Sequence, residues 1–182
     1  VSTDERVRFL LGWDKPLLNE WGHSMTSYAR ISKVKQNAQL IYKIPRNNPN
    51  TDYYYIRLAQ THTKINDTTS DQSHVSFHYV ANQTGRWLRD YYLAYEYEDY
   101  TQANDKGYAN NLMPGVTLTR RESSGGFDPH YGYSVSLDVR GGTKLITDLN
   151  FIRLNLVWKA LFSPTPDSRL FFRIQQGLTM VS

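Results

Sequence analysis

The chain has 182 residues and no cysteine, and its 21 Lys and Arg face 17 Asp and Glu for a formal net charge of +4. That is enough chain for one cored domain, and it excludes disulfide frameworks, thiol catalysis and most structural zinc sites. The charges are interspersed, without the basic stripe of a nucleic-acid binder, and no stretch approaches the ~18 apolar residues of a transmembrane helix.

The chain starts VSTDERVRF, in mid-pattern and with no signal peptide, as a piece cut from a longer protein would. Turn-rich clusters then recur in order. They lie at Asp14–Gly22, Lys35–Asn37, Arg46–Asp52, Asn66–Gln72, Asn82–Gly85, Asn104–Gly107, Ser123–Gly132, Gly141–Lys144 and Ser163–Ser168. Nine breaks predict ten segments, mostly 8 to 14 residues long. Within them apolar and polar residues alternate. Leu40, Tyr42 and Ile44 oppose Gln39 and Lys43; Val75, Phe77 and Tyr79 oppose Ser76 and His78. Later, Val135, Leu137 and Val139 oppose Ser136, Asp138 and Arg140, and Phe172 and Ile174 oppose Arg173 and Gln175. A period of two over many segments predicts antiparallel strands, each with one apolar face. The stretch GRWLRDYYLAYEYEDY, Gly85–Tyr100, also places Leu88, Tyr91, Tyr92 and Tyr95 at helical spacing. None of its neighbours supports a helix, so it is expected to be a strand with Tyr91, Leu93, Tyr95 and Tyr97 on one face. One domain over residues 1–182 is expected.

Two media suit the apolar faces. In a sandwich, a soluble all-β binding domain, they meet a second sheet; in a transmembrane barrel they meet lipid, and the polar faces line a lumen. Three features favour the barrel. Segment length suits a tilted spanning strand of about 9–11 residues. The polar faces carry both signs, including Arg30, Lys43, Arg57, Glu96, Glu98, Asp138, Arg153 and Arg173. Large aromatics sit toward segment ends, among them Trp13, Trp21, Tyr53, Trp87, Tyr100, Phe127, Tyr131 and Trp158, as in an interfacial girdle. The breaks also alternate, since the first, third, seventh and ninth carry proline and the even ones do not. Long external loops and short periplasmic turns would place the odd breaks outside the cell.

Five stretches add a resemblance. STD at Ser2–Asp4, WDKPLLNEWGHS at Trp13–Ser24, YKIP at Tyr42–Pro45, INDTTSD at Ile65–Asp71 and PGVTLTR at Pro114–Arg120 resemble the barrel of TamA-like members of the outer-membrane insertase superfamily, which also contains BamA and the two-partner secretion transporters. SSGGFDPHYG at Ser123–Gly132 is similar to a loop of the same family. The resemblance implies a sixteen-stranded up-and-down barrel in the bacterial outer membrane, preceded by periplasmic POTRA domains. This chain would supply about the first ten strands, without the POTRA domains or the closing strands. It also implies a role without enzymatic chemistry, cofactor or metal: assisting insertion or secretion of outer-membrane proteins, autotransporter-type substrates among them. The partners implied are outer-membrane lipid, unfolded outer-membrane proteins and a TamB-like inner-membrane protein engaged through the POTRA domains. The functional element would be a lateral seam at the first strand, Arg6, Val7, Arg8, Phe9, Leu10, Leu11 and Gly12, with Val7, Phe9 and Leu11 outward. Substrate strands would pair with its backbone edge. The outward face of the second strand, Met25, Ser27, Ala29 and Ile31, is poorly apolar, which would ease local opening.

Some residues suggest chemistry instead. His74 and Ser76 on one strand face have the makings of a base and nucleophile, as in an outer-membrane phospholipase, given a third, orienting group. The alternation points both to the lumen. His74 and His78 are four strand positions apart, about 13 Å at strand rise and too far for one metal ion. His23 and His130 fall in loops. Gly125-Gly126 and Gly141-Gly142 read as turns rather than phosphate loops. Asp4/Glu5 and Glu96/Glu98 offer no acid–base pair without a defined pocket.

Overall fold

The computed structural model describes residues 7–82, 86–103, 105–124, 128–143, 150–165 and 167–181. These form ten strands and no helix. They are β1 (Arg8–Lys15), β2 (Ser24–Ser32), β3 (Lys35–Pro45), β4 (Tyr53–Ile65), β5 (Thr68–Ala81), β6 (Leu88–Gln102), β7 (Asp105–Ser123), β8 (Tyr131–Gly142), β9 (Phe151–Thr165) and β10 (Ser168–Val181). All ten belong to one antiparallel sheet in the order of the sequence, with β1 and β10 at its margins and every other strand paired with the one before and the one after it. Leu88–Gln102 is a strand, so period two wins over the local helical match. The strands run from 8 to 19 residues, longer than expected at β7.

Tight turns explain the extra length. The second break is 33–34 rather than Lys35–Asn37. There the Ser32 hydroxyl accepts the Lys35 N–H and donates to the Lys35 carbonyl, both at 2.9 Å, so a polar cluster past the turn is free to extend β3. The fourth is 66–67 alone, with Asn66 at φ 51°, and Thr68–Gln72 continues β5. Asparagine tolerates that left-handed conformation, which suits a two-residue hairpin. Gly141 and Gly142 end β8 instead of forming a turn; Gly125 and Gly126 lie outside the described residues. The connections 16–23, 46–52, 82–87 and 124–130 at one end are longer than 33–34, 66–67 and 103–104 at the other. The connections 143–150 and 166–167 break that rule.

Register carries the apolar faces across the sheet. One row runs Trp13, Ser27, Leu40, Leu58, Val75, Tyr95 and Leu112 through six successive pairings. This face is exposed: Val75 is 47% accessible, Phe77 51% and Leu93 47%. The opposite face is the covered one, with Ser76 1% and Ala94 4% accessible. Among the described residues no second sheet lies on either face, so the covering comes from the polar side chains themselves and the sheet curls toward them. Tyr55 on β4 reaches over β5 to Asp90 on β6 at 3.0 Å, and Tyr92 on β6 reaches over β7 to Asp138 on β8 at 2.7 Å.

Two glycines on β7 make room on that concave side. Gly107 and Gly115 stand opposite Tyr100 and Tyr92, and a Cβ on either would collide with the facing ring. Pro114, beside Gly115, faces solvent at the point where β7 first gains β8 as a neighbour, where a missing N–H costs no ladder bond. The two outermost strands, β1 and β10, do not touch, and every described residue of each is exposed.

Candidate functional site

Two features of this sheet are candidates for a site, the edge of β1 beside which no described strand lies and the polar cluster on β5 and β6.

The first strand sits later than the sequence implied. It spans Arg8–Lys15, so Arg8, Phe9, Leu10, Leu11 and Gly12 are in it, Val7 precedes it, and Arg6 lies outside the described residues. Trp13, expected to border the loop, is within the strand. Phe9, Leu11 and Trp13 pair with Ile31, Ala29 and Ser27 and so share the exposed face. The stretch runs on because Asp14 and Lys15 still pair with Thr26 and Met25, and Asp14 accepts a 2.6 Å hydrogen bond from the Thr26 hydroxyl. Behind β1 the small residues Ser27, Ala29 and Ala38 floor an apolar groove of about 580 Å³, walled by Leu11, Leu58 and Val75. Sequence reading singled out Ser27 and Ala29; Ala38 emerges only from register, which sets it opposite Ala29.

On the concave side, β5 presents His74, Ser76 and His78 in a row because alternate residues share a face. β6 runs antiparallel beside it, with Glu96 opposite His74 and Tyr92 opposite His78. His74 Nδ1 lies 3.1 Å from Glu96 Oε1 and its Nε2 lies 3.0 Å from Ser76 Oγ. His78 mirrors this: Nδ1 is 2.9 Å from Asp90 Oδ1, and Nε2 is 3.0 Å from the same Ser76 Oγ. Tyr55 and Tyr92 stack on the two sides of the His78 ring, at centroid distances of 4.0 and 5.1 Å. Tyr55 also donates to Asp90.

The backbone separation of the two histidines therefore misleads, since both rings lean onto the serine between them. The orienting group that His74 needed is Glu96, which the sequence had set aside with Glu98. Asp90 was missed, and its signal was available: it lies on the polar parity of its strand, within reach of His78 once the hairpin is drawn. Glu98 serves elsewhere, accepting from Ser70 at 2.7 Å. A polar cavity of about 290 Å³ opens beside the cluster, bounded by Gln39, Arg57, His74, Glu96, Glu98 and Arg140. It reaches His74 and Glu96 but not Ser76. No group of three or more His, Asp or Glu is gathered as a metal site among the described residues.

The loop histidines are structural in their contacts. His23 Nδ1 lies 2.6 Å from the Tyr42 hydroxyl with its ring edge-on to Tyr42, and the His130 backbone N–H donates to the Ser124 hydroxyl. Among the aromatics expected at strand ends, Tyr53 and Tyr131 begin their strands and Trp21 is exposed in a loop, whereas Trp158 is central in β9. Phe127 lies outside the described residues. Asp4 and Glu5 do too. No protein-family model matches the chain.

Proposed function

We propose that the chain is the seam-bearing part of a bacterial outer-membrane β-barrel of the TamA-like kind. It assists insertion or secretion of other outer-membrane proteins by lending them the edge of β1. The observation that carries this reading is the conjunction of an apolar convex face with a marginal strand that, among the described residues, is paired on one side only. Large exposed apolar surface on a soluble monomer is rarely more than a few hundred Å², and lipid is the medium in which such a face costs nothing. A free edge, in turn, is a template for strand addition. The chemistry is pairing of backbone N–H and C=O groups, with no covalent step, cofactor or metal. Strands beyond β10 would close the wall, lipid would cover Leu93 and Val75, and POTRA domains would receive unfolded substrates and a TamB-like partner.

The test uses the full-length protein in outer membranes. These 182 residues lack cysteine, so with any cysteine elsewhere in the full-length protein replaced, single cysteines placed in turn at Phe9, Leu10, Leu11 and Gly12 report without background. Disulfides to a terminal strand of an autotransporter substrate, shifting by one residue as the probe shifts by one, are the expected result. Crosslinks confined to loops, or a protein recovered without detergent in the aqueous fraction, would overturn the reading.

One observation favours a second reading, a barrel esterase: Glu96, His74 and Ser76 stand in the order and at the distances of an acid–base–nucleophile relay. Against it, Ser76 is sealed and faces away from the apolar side. Labelling of Ser76 by a fluorophosphonate would establish this reading, and absence of labelling with intact secretion in Ser76→Ala would remove it.

A further inference from the structure

The cluster on β5 and β6 is a linear chain of five groups, Glu96, His74, Ser76, His78 and Asp90, joined by four hydrogen-bonding contacts of 2.9 to 3.1 Å. Each contact needs one proton between its two heavy atoms. With both carboxylates ionised, each is an acceptor only; a neutral imidazole brings one proton and a hydroxyl brings one. The two histidines and the serine thus supply three protons for four contacts. Whatever tautomers are chosen, one contact is left with two acceptors facing each other, which is costly in a covered site.

We propose that this chain is a binding site for one additional proton, seated on His78. The imidazolium then donates from Nδ1 to Asp90 and from Nε2 to Ser76; Ser76 donates to His74 Nε2; His74 donates from Nδ1 to Glu96. All four contacts are filled in one direction. His78 is the seat because Tyr55 and Tyr92 lie against both of its faces, and aromatic faces attract a cation. The other charged and titratable groups around it agree. From β4, Tyr55 donates to Asp90 and keeps it an acceptor, while the Arg57 guanidinium is held 2.8 Å from Gln39 Oε1. From β6, Tyr92 is committed to Asp138, and Glu96 borders the same polar cavity as Arg57 and Arg140. Proton uptake fills the one contact left open, so that both cross-strand ties, His74–Glu96 and His78–Asp90, hold at once and fasten β5 to β6 from the concave side.

The experiment is ring ¹⁵N NMR on the full-length protein carrying ¹⁵N-histidine in detergent micelles at pH 7, with the His74 and His78 signals assigned by substitution. The expected spectrum shows His78 as an imidazolium and His74 as the neutral tautomer protonated at Nδ1. Two variants follow from the proton count. Ser76→Ala removes the two central contacts, and neutral imidazoles fill the two that remain. Glu96→Gln supplies the fourth proton from its own amide. Both are expected to return His78 to a neutral ring. Neutral signals for both rings in the unaltered chain would overturn the proposal, and so would a charged His78 that survives both substitutions. Either variant failing to fold leaves the other, and the spectrum of the unaltered chain, to decide.

Discussion

The β5–β6 pair and the β1–β2 pair have the same antiparallel architecture and opposite character. β5 and β6 pair without interruption from Thr68↔Gln102 to Ala81↔Arg89 and are tied on their concave side by Ser70–Glu98, His74–Glu96 and His78–Asp90. β1 and β2 pair from Arg8↔Ser32 to Lys15↔Met25, and the Thr26–Asp14 side-chain bond between them lies in the open. β5 is paired on both sides from Thr68 to Val80, while β1 has one neighbour among the described strands. Covered polar ties lie between β5 and β6, whereas the side-chain bond between Thr26 and Asp14 at the margin is exposed to its surroundings. On the function proposed above, an edge that exchanges partners gains from weak ties, because each tie would have to break before a substrate strand could enter.

The largest expected effect separates lipid from water as the medium of the convex face. Leu93→Arg is expected to cost about 2–4 kcal/mol of folding stability in vesicles, the depth-dependent cost of a cation on the lipid face of a barrel. The same change at Leu11 should cost ~1 kcal/mol, since an arginine on the margin reaches polar groups of the free edge. Equilibrium urea unfolding of both variants in phosphatidylcholine vesicles measures this, and equal costs near zero would break both the comparison and the membrane reading. Next comes Asp90→Ala. It strips His78 and Tyr55 of their shared acceptor in a largely covered site and is expected to cost about 2 kcal/mol in the same assay. Gly115→Ala ranks below it. The new methyl group pushes the Tyr92 ring away and breaks its bond to Asp138, for a loss of about 1 kcal/mol.

These sites were unequally legible in the sequence. Alternation at Val75–Phe77 and Tyr91–Leu93 was enough for strand and apolar face, because a period of two repeated down the chain means antiparallel strands; it left sandwich and barrel both open, and the up-and-down order was an expectation from the resemblance. Turn positions were legible where asparagine or proline bounded them, as at 46–52, and not where a serine hydroxyl closes the turn, as at Ser32. The polar cluster was only half legible. His74, Ser76 and His78 share a strand and so share a face by parity alone. Their partners Glu96 and Asp90 come from the next strand, and which residue meets which is fixed by hairpin register, not by composition. Gly115 under Tyr92 is the same kind of fact: neither residue means much until the pairing sets one opposite the other.

The smallest effect tests the margin directly. Thr26 and Asp14 are both exposed, so water replaces whatever their bond supplies, and Thr26→Ala is expected to change stability by less than about 0.5 kcal/mol. The consequence should appear instead in local opening. Amide exchange in β1 is expected to be fast in the unaltered chain and little faster in the variant, because the backbone ladder to β2 already sets its rate. Exchange in β5 should be slow in both. A Thr26→Ala variant that loses as much stability as Asp90→Ala, or whose β1 amides begin to exchange only on substitution, would mean that the edge is fastened as firmly as the wall. A strand held that way does not yield its place to an incoming one, and the seam would have to be sought at β10.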